Sequence, residues 1–101
     1  MTTNHLVLSG TVIRSRHFDS PAGIPHTVLQ LEHRSQRFEA DLPRNVYCQL
    51  QVILSGERFK SVADKLKAGV DIQVSGFLAL QQSRNGQSRL VLHAENVELK
   101  N

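Results

Sequence analysis

Tryptophan is absent from this chain, cysteine and tyrosine each occur once, and proline occurs three times in 101 residues. A single cysteine, Cys48, allows no intramolecular disulfide and no cysteine-based zinc site, so the chain reads as one for a reducing, cytoplasmic setting. Long apolar runs are missing too. Stretches such as Val52–Leu54 fall far short of the ~20 residues a membrane helix needs. The opening MTTNHLVLSG lacks the basic start and continuous apolar stretch of a signal peptide. There are no internal repeats and no low-complexity tract. With five aromatic residues in all, an aromatic-rich core is not expected.

Catalytic constellations are lacking as well. His5, His17, His26, His33 and His93 show no HxH or HExxH spacing, and no carboxylate pair stands out. No GxSxG, GxGxxG or Walker loop is present. The chain is therefore read as a non-enzyme with no metal and no cofactor. Cys48 alternates with Val46 and Leu50 and is expected to be a buried, inert thiol.

What is present reads as strands within one domain, residues 1–101. His5–Arg14 is rich in Val, Leu, Ile and Thr, with Gly10 inside it as a candidate bend. Asp19–Pro25 holds two prolines and a glycine and reads as a loop. Thr27–Arg34 resumes as a strand, with Leu29, Leu31 and His33 on one face and Val28, Gln30, Glu32 and Arg34 on the other. Ser35–Asn45 has little apolar content and reads as a long connection. Val46–Leu54 alternates most clearly, with Tyr47, Gln49 and Gln51 on its polar side. Glu57–Ala68 changes period: Phe59, Val62 and Leu66 predict a helix of about three turns, capped by Ser55 and stopped by Gly69. Val70–Leu80 alternates again, with Gly76 as a second bend. Asn85-Gly86 marks a hairpin, and Ser88–Leu99 is the last strand. Phe59 and Phe77 are expected in the core, and Phe38 is expected to pack. This layout predicts an all-β, five-stranded OB-fold barrel with one short helix between strands 3 and 4. An open sandwich is the alternative, but it offers the lone helix no ready place.

The formal charge of +3 is small but unevenly placed. Arg14 and Arg16 follow strand one. Arg34, Arg37 and Arg44 follow strand two, and Arg84 and Arg89 sit in the hairpin Gln81–Arg89. Arg58 is the one arginine elsewhere, and the lysines lie on the helix and at Lys100. An OB layout brings those three connections to one rim and face, where arginine forks suit phosphates. A solvated loop surface is the alternative. Tyr47, on the polar face of strand three, is either a base-stacking ring or an ordinary cross-strand aromatic. Leu6, Val7, Leu8 and Val12 make strand one apolar on both faces, which predicts part of a two-fold interface there.

The segments LVLSGTVIR (Leu6–Arg14), PAGIPH (Pro21–His26), LEHRS (Leu31–Ser35), YCQLQVILSG (Tyr47–Gly56), VSGFL (Val74–Leu78) and RNGQSRLVLHAENVEL (Arg84–Leu99) resemble the primosomal replication protein N (PriB) family. That family is a small relative of bacterial single-stranded DNA-binding protein, and the resemblance spans nearly the whole chain. It implies a homodimer of OB folds that binds single-stranded DNA in the primosome restarting stalled replication forks. It also implies two partners, the restart helicase PriA and the loading factor DnaT. Arg14, Arg34, Arg84 and Arg89 match family DNA-contact positions. Tyr47 stands at a Trp position, Gln82 where a lysine is typical, and Leu42 at an aromatic position. Arg16, Arg37 and Arg44 are expected to compensate. No acidic tail follows Leu99, so recruitment is expected to run through the folded surface. Two functions follow. One is an accessory DNA-binding protein that stabilises the helicase on DNA and recruits the loader. The other is mainly a protein–protein adaptor between helicase and loader, with weak DNA binding.

Overall fold

Period-2 patterning builds five strands: β1 (Leu6–Asp19), β2 (Pro25–Glu39), β3 (Leu42–Ser55), β4 (Asp71–Gln82) and β5 (Ser88–Leu99). A 3-10 turn, Glu57–Phe59, runs into the short helix α1, Lys60–Ala63, between β3 and β4. The computed structural model describes residues 2–100. The strands close into a barrel in the order β1-β2-β3-β5-β4, with β4 pairing back to β1. All neighbours are antiparallel except β3 and β5, which pair in parallel at Gln51, Val52 and Ile53. The five-stranded OB-fold barrel expected from the sequence is the fold that forms. No helix among the described residues is long and apolar enough to cross a membrane.

The core follows from strand parity. Val12, Leu29, Leu31, Val52, Leu54, Ile72, Val74 and Leu92 point inward and meet Phe59 and Leu66 from the helical segment. Each such side chain contributes about 1.5–3 kcal/mol by leaving water. Val12 is only 1% exposed, so it belongs to this core and offers nothing to a second copy. Leu6 and Leu8 are partly buried at the core's edge, and Val7 faces outward.

Closure needs two corners where backbones touch. β1 pairs with β4 from Leu6 to Thr11 and with β2 from Thr11 to Asp19, with a register shift between Val12 and Arg14. At Gly10 a Cβ would stand 2.4 Å from the Glu32 carbonyl oxygen. At Gly76 it would stand 1.9 Å from that of His93. Beside Gly76 the ladder skips a residue, because Ser75 faces Asn96 while Gly76 faces Ala94. The skipped residue is Glu95, and its carbonyl accepts a hydrogen bond from Arg58 Nη2. The Arg58 guanidinium also lies 4.7 Å from the Phe59 ring centroid. The one arginine outside the three basic connections therefore ties the helical segment to the bulge in β5.

Several elements differ from the sequence expectation. β1 continues to Asp19. The stretch Ser35–Asn45 is no loose connection: β2 and β3 stay paired through it, from Arg34↔Tyr47 to Glu39↔Leu42. They turn at Ala40 and Asp41, whose φ values of 52° and 64° are those of a tight hairpin. Both faces of this arm meet solvent, so the hydrophobic alternation that marks a half-buried strand is missing from it. The three-turn helix is shorter than expected. Its apolar spacing is carried onward by i→i+3 turns, with Lys65 N–H donating to the Val62 carbonyl and Leu66 N–H to that of Ala63. Ser55 does not cap it. Gly56 holds that position, and Ser55 Oγ lies 2.8 Å from His26 Nδ1.

Three side chains are more open than expected. Phe77 has outward parity and stacks on His93 with centroids 5.0 Å apart. Phe38 is 74% exposed on the arm. Cys48 is exposed because β3 reaches β5 only at Gln51 to Ile53, leaving its earlier residues above the barrel rim.

Gly76→Ala drives a methyl group into the His93 carbonyl. It is expected to destabilise the barrel by about 3 kcal/mol or more. Chemical denaturation followed by far-UV circular dichroism checks this, and an unchanged midpoint contradicts it.

Candidate nucleic-acid interface

Register decides which polar side chains meet. Opposite residues of an antiparallel pair share a face. β2 and β3 place Gln30 against Gln51, Glu32 against Gln49 and Arg34 against Tyr47. β1 adds Arg14 against Gln30 and Arg16 against Val28. These residues therefore form one outer face. Arg89 joins it from β5, where its Nη1 donates to Gln51 Oε1 at 3.0 Å. A cleft of about 150 Å³ lies between Arg14, Arg16, Gln30, Gln51 and Arg89. It continues into a second cleft of about 240 Å³, where Gln81, Gln82 and Ser83 of the β4–β5 hairpin stand over Arg16 and Arg89.

Farther along the same face, Tyr47 is half exposed and held from several sides. The Arg34 guanidinium lies 4.5 Å from its ring centroid. Its hydroxyl donates to Glu32 Oε2 at 3.0 Å and accepts from Gln49 Nε2 at 2.6 Å. Gln30 Nε2 donates in turn to Gln49 Oε1 at 3.1 Å. Arg34 Nη2 lies 3.6 Å from the same Glu32 oxygen. The face thus carries a fixed aromatic ring and four arginines, Arg14, Arg16, Arg34 and Arg89, with the Glu32 carboxylate next to Arg34 and Tyr47. A fork of N–H donors suits phosphate oxygens. A fixed ring stacks a base at about 1–3 kcal/mol without reading its identity.

The other sequence candidates lie elsewhere. Arg37 and Arg44 are opposite one another with the reverse parity, on the other side of the arm, and Arg44 pairs with Glu39 at 3.0 Å. Leu42 shares their side and is exposed. Arg84 is exposed in the turn between β4 and β5, with Gln82 at that hairpin's base. Sequence reasoning overlooked Glu32, Gln30, Gln49 and Gln51 as a group. Their alternation with buried neighbours was the available signal, and only pairing joins them. Phe18 was also overlooked. Its ring stacks on His26 with centroids 5.1 Å apart, and Arg16 lies over it at 5.3 Å. Phe38 shares the Tyr47 face by register.

Four of the five histidines have a partner in the fold. His17 Nδ1 is 2.9 Å from Thr27 Oγ1, and His33 bonds the Ser9 carbonyl and Ser35 Oγ. Among the described residues no group of three or more His, Cys, Asp or Glu stands ready to hold a metal ion. A cleft of about 420 Å³ beside α1, floored by Leu54 and Phe59, contains none of the arginines. A wider groove of about 720 Å³ is lined by Leu6, Leu8, Cys48, Leu50 and Leu90, with Arg14 and Arg89 also bordering it.

Comparison with known proteins places this geometry in context. The model described as "another single-strand binding protein family" matches residues 4–96. The replication restart protein PriB of Shewanella piezotolerans is 78% identical over 100 residues, covering 99% of each chain. The crystal structure of PriB from Ralstonia solanacearum superposes with a TM-score of 0.80 at 27% identity, covering 99% of this chain and all of that one. The SSB of Plasmodium falciparum, solved in complex with ssDNA, matches in fold with a TM-score of 0.82 at 12% identity, covering 100% of this chain and 97% of that one.

The split of the arginines predicts unequal polyanion affinity. Replacing Arg14 and Arg89 by Ala is expected to lower the salt needed to elute the protein from heparin, and more so than replacing Arg37 and Arg44. Equal shifts for both pairs contradict a single binding face.

Proposed function

This chain belongs to the PriB family of replication restart proteins, within the single-strand binding protein group, and on that premise we propose that it binds single-stranded DNA during the restart of replication. The observation that carries this reading is the shared face of Arg14, Arg16, Arg34, Arg89 and Tyr47. Phosphates dock on the arginine forks and release counterions, while one base stacks on Tyr47. Gln82 and Arg84 extend the contact from the β4–β5 hairpin over the cleft. Arg37 and Arg44, on the other side of the arm, meet the strand only if it wraps the arm. Four arginine contacts per protomer give a log–log salt slope of about −3. Anisotropy of labelled oligo-dT at several salt concentrations measures it, beside a duplex of equal length. Arg84→Ala with Arg89→Ala is expected to weaken binding and flatten the slope by about 0.7 for each lost contact. Unchanged affinity removes the hairpin from the site, and preference for duplex overturns the reading.

The working unit in this proposal is a homodimer. The cluster of Leu6, Leu8, Leu50 and Leu90 supports it, being the apolar part of a groove whose other side carries Arg14, Gln30, Gln49, Gln51 and Arg89. Val7 stands exposed on the opposite side of β1. Cys48, at the groove, provides the test. Its labelling by a thiol reagent is expected to be fast in dilute solution and to slow as concentration rises and the dimer forms. Labelling that is independent of concentration, together with a monomer in equilibrium sedimentation at micromolar concentration, contradicts the dimer.

In the finer reading, the bound dimer stabilises the restart helicase PriA on DNA in the cytoplasm and recruits the loading factor DnaT. Family membership supports this. Pull-down with the helicase, with and without single-stranded DNA, separates it from a pure DNA-binding role.

A further inference from the structure

The basic face includes an acid. Glu32 sits on β2 one same-face position before Arg34, and Gln49 and Tyr47 stand across from the two on β3. Its carboxylate oxygen Oε2 accepts the Tyr47 hydroxyl at 3.0 Å and lies 3.6 Å from Arg34 Nη2. Arg34 in turn covers one side of the Tyr47 ring, with its guanidinium carbon 4.5 Å from the centroid. The three side chains therefore satisfy one another when no strand is bound. A carboxylate serves phosphate binding badly in itself, because it repels the ligand. It is not needed to neutralise a buried cation either, since the Arg34 side chain is 70% exposed and water alone would serve it.

We propose that Glu32 is a positioning residue that holds Tyr47 and Arg34 in a self-paired state, so that a strand binds by exchanging its phosphate for the Glu32 carboxylate on Arg34. This rests on the single-strand-binding reading. The hydroxyl bond fixes the tilt of the Tyr47 ring, so the stacking platform is ordered before a base arrives. Because Arg34 must give up one anion to take another, its net contribution to affinity is reduced. The strand is held less tightly and leaves more readily.

Glu32→Gln separates charge from shape. The amide keeps the length of the side chain and an acceptor for the Tyr47 hydroxyl, while removing the repulsion and freeing Arg34. The variant is expected to bind oligo-dT roughly three- to tenfold more tightly at low salt. Its salt slope should steepen by up to about 0.7, because the phosphate on Arg34 then no longer leaves a carboxylate unpaired to take up a cation. In an Arg34→Ala background most of that gain should vanish, because the exchange has lost its cation. Glu32→Ala removes the acceptor as well as the charge, and should bind less tightly than Glu32→Gln. With one tyrosine and no tryptophan in the chain, intrinsic emission reports on Tyr47 alone and follows base stacking directly in each variant. Thermal melts confirm that the variants fold.

Equal or weaker binding by Glu32→Gln overturns the proposal. So does a gain of the same size with Arg34 absent, which makes Glu32 a general source of repulsion and no exchange partner. Wild-type protein that fails to bind oligo-dT at all removes the single-strand-binding reading and this inference with it. Wild-type binding with an unimproved Glu32→Gln removes the inference alone.

Discussion

Closure of the barrel at two backbone contacts is the constraint on which everything else depends. β1 serves as neighbour to both β2 and β4, and does so only because it turns a corner beside Gly10, where the Glu32 carbonyl comes too close for any side chain. Gly76 plays the same part against His93 on the other side. Without these approaches the sheet stays open, with unpaired edges. With them, the inward residues of all five strands converge on one core, and their outward residues are set in a fixed order around it. The Glu32 backbone receives Gly10, while its side chain holds the Tyr47 hydroxyl. The corner and the candidate site therefore share a residue.

The outer face shows how modest charge becomes local chemistry. A net +3 spread over the molecule attracts a polyanion weakly. The β1–β2–β3 register puts Arg14, Arg16 and Arg34 on one face, with Arg34 beside Tyr47 and the other two farther along it, and Arg89 reaches the same face from β5. The amides of Gln30, Gln49 and Gln51 fill the positions between them. They offer donors and acceptors without charge, so the face stays wet and adaptable. The structure spends its remaining arginines differently. Arg58 bonds a bulge carbonyl, and Arg44 pairs with Glu39 on the far side of the arm.

Much of the fold was legible because half-buried strands advertise themselves. Leu29 and Leu31 flank Gln30, Ile72 and Val74 flank Gln73, and all four leucine, isoleucine and valine side chains are buried. The glycines inside β1 and β4 marked the two corners. Where alternation fails, so did the reading. Ser35–Glu39 and Leu42–Asn45 are paired strands with solvent on both sides, so no hydrophobic pattern records them. Their turn uses Ala40 and Asp41, which carry no Asn-Gly signal. Phe77 and Cys48 were misplaced because position in the barrel, and not residue type, sets their exposure. Phe77 follows a glycine on the outward parity, and Cys48 stands above the short β3–β5 contact.

Residue order alone determined the class of fold, the identity of most core residues, the absence of catalytic motifs and the concentration of arginine in three connections. These are local properties: periodicity, composition and spacing along one chain. Only tertiary structure decided which arginines share a face, that Arg58 serves the fold, that Val12 is buried in the core, and that Glu32 lies on the basic face next to Arg34. Those facts depend on which residue stands across a strand pair, at about 5 Å, from a neighbour far away in sequence. Register is a cooperative outcome of closing the whole barrel, and no window of sequence contains it.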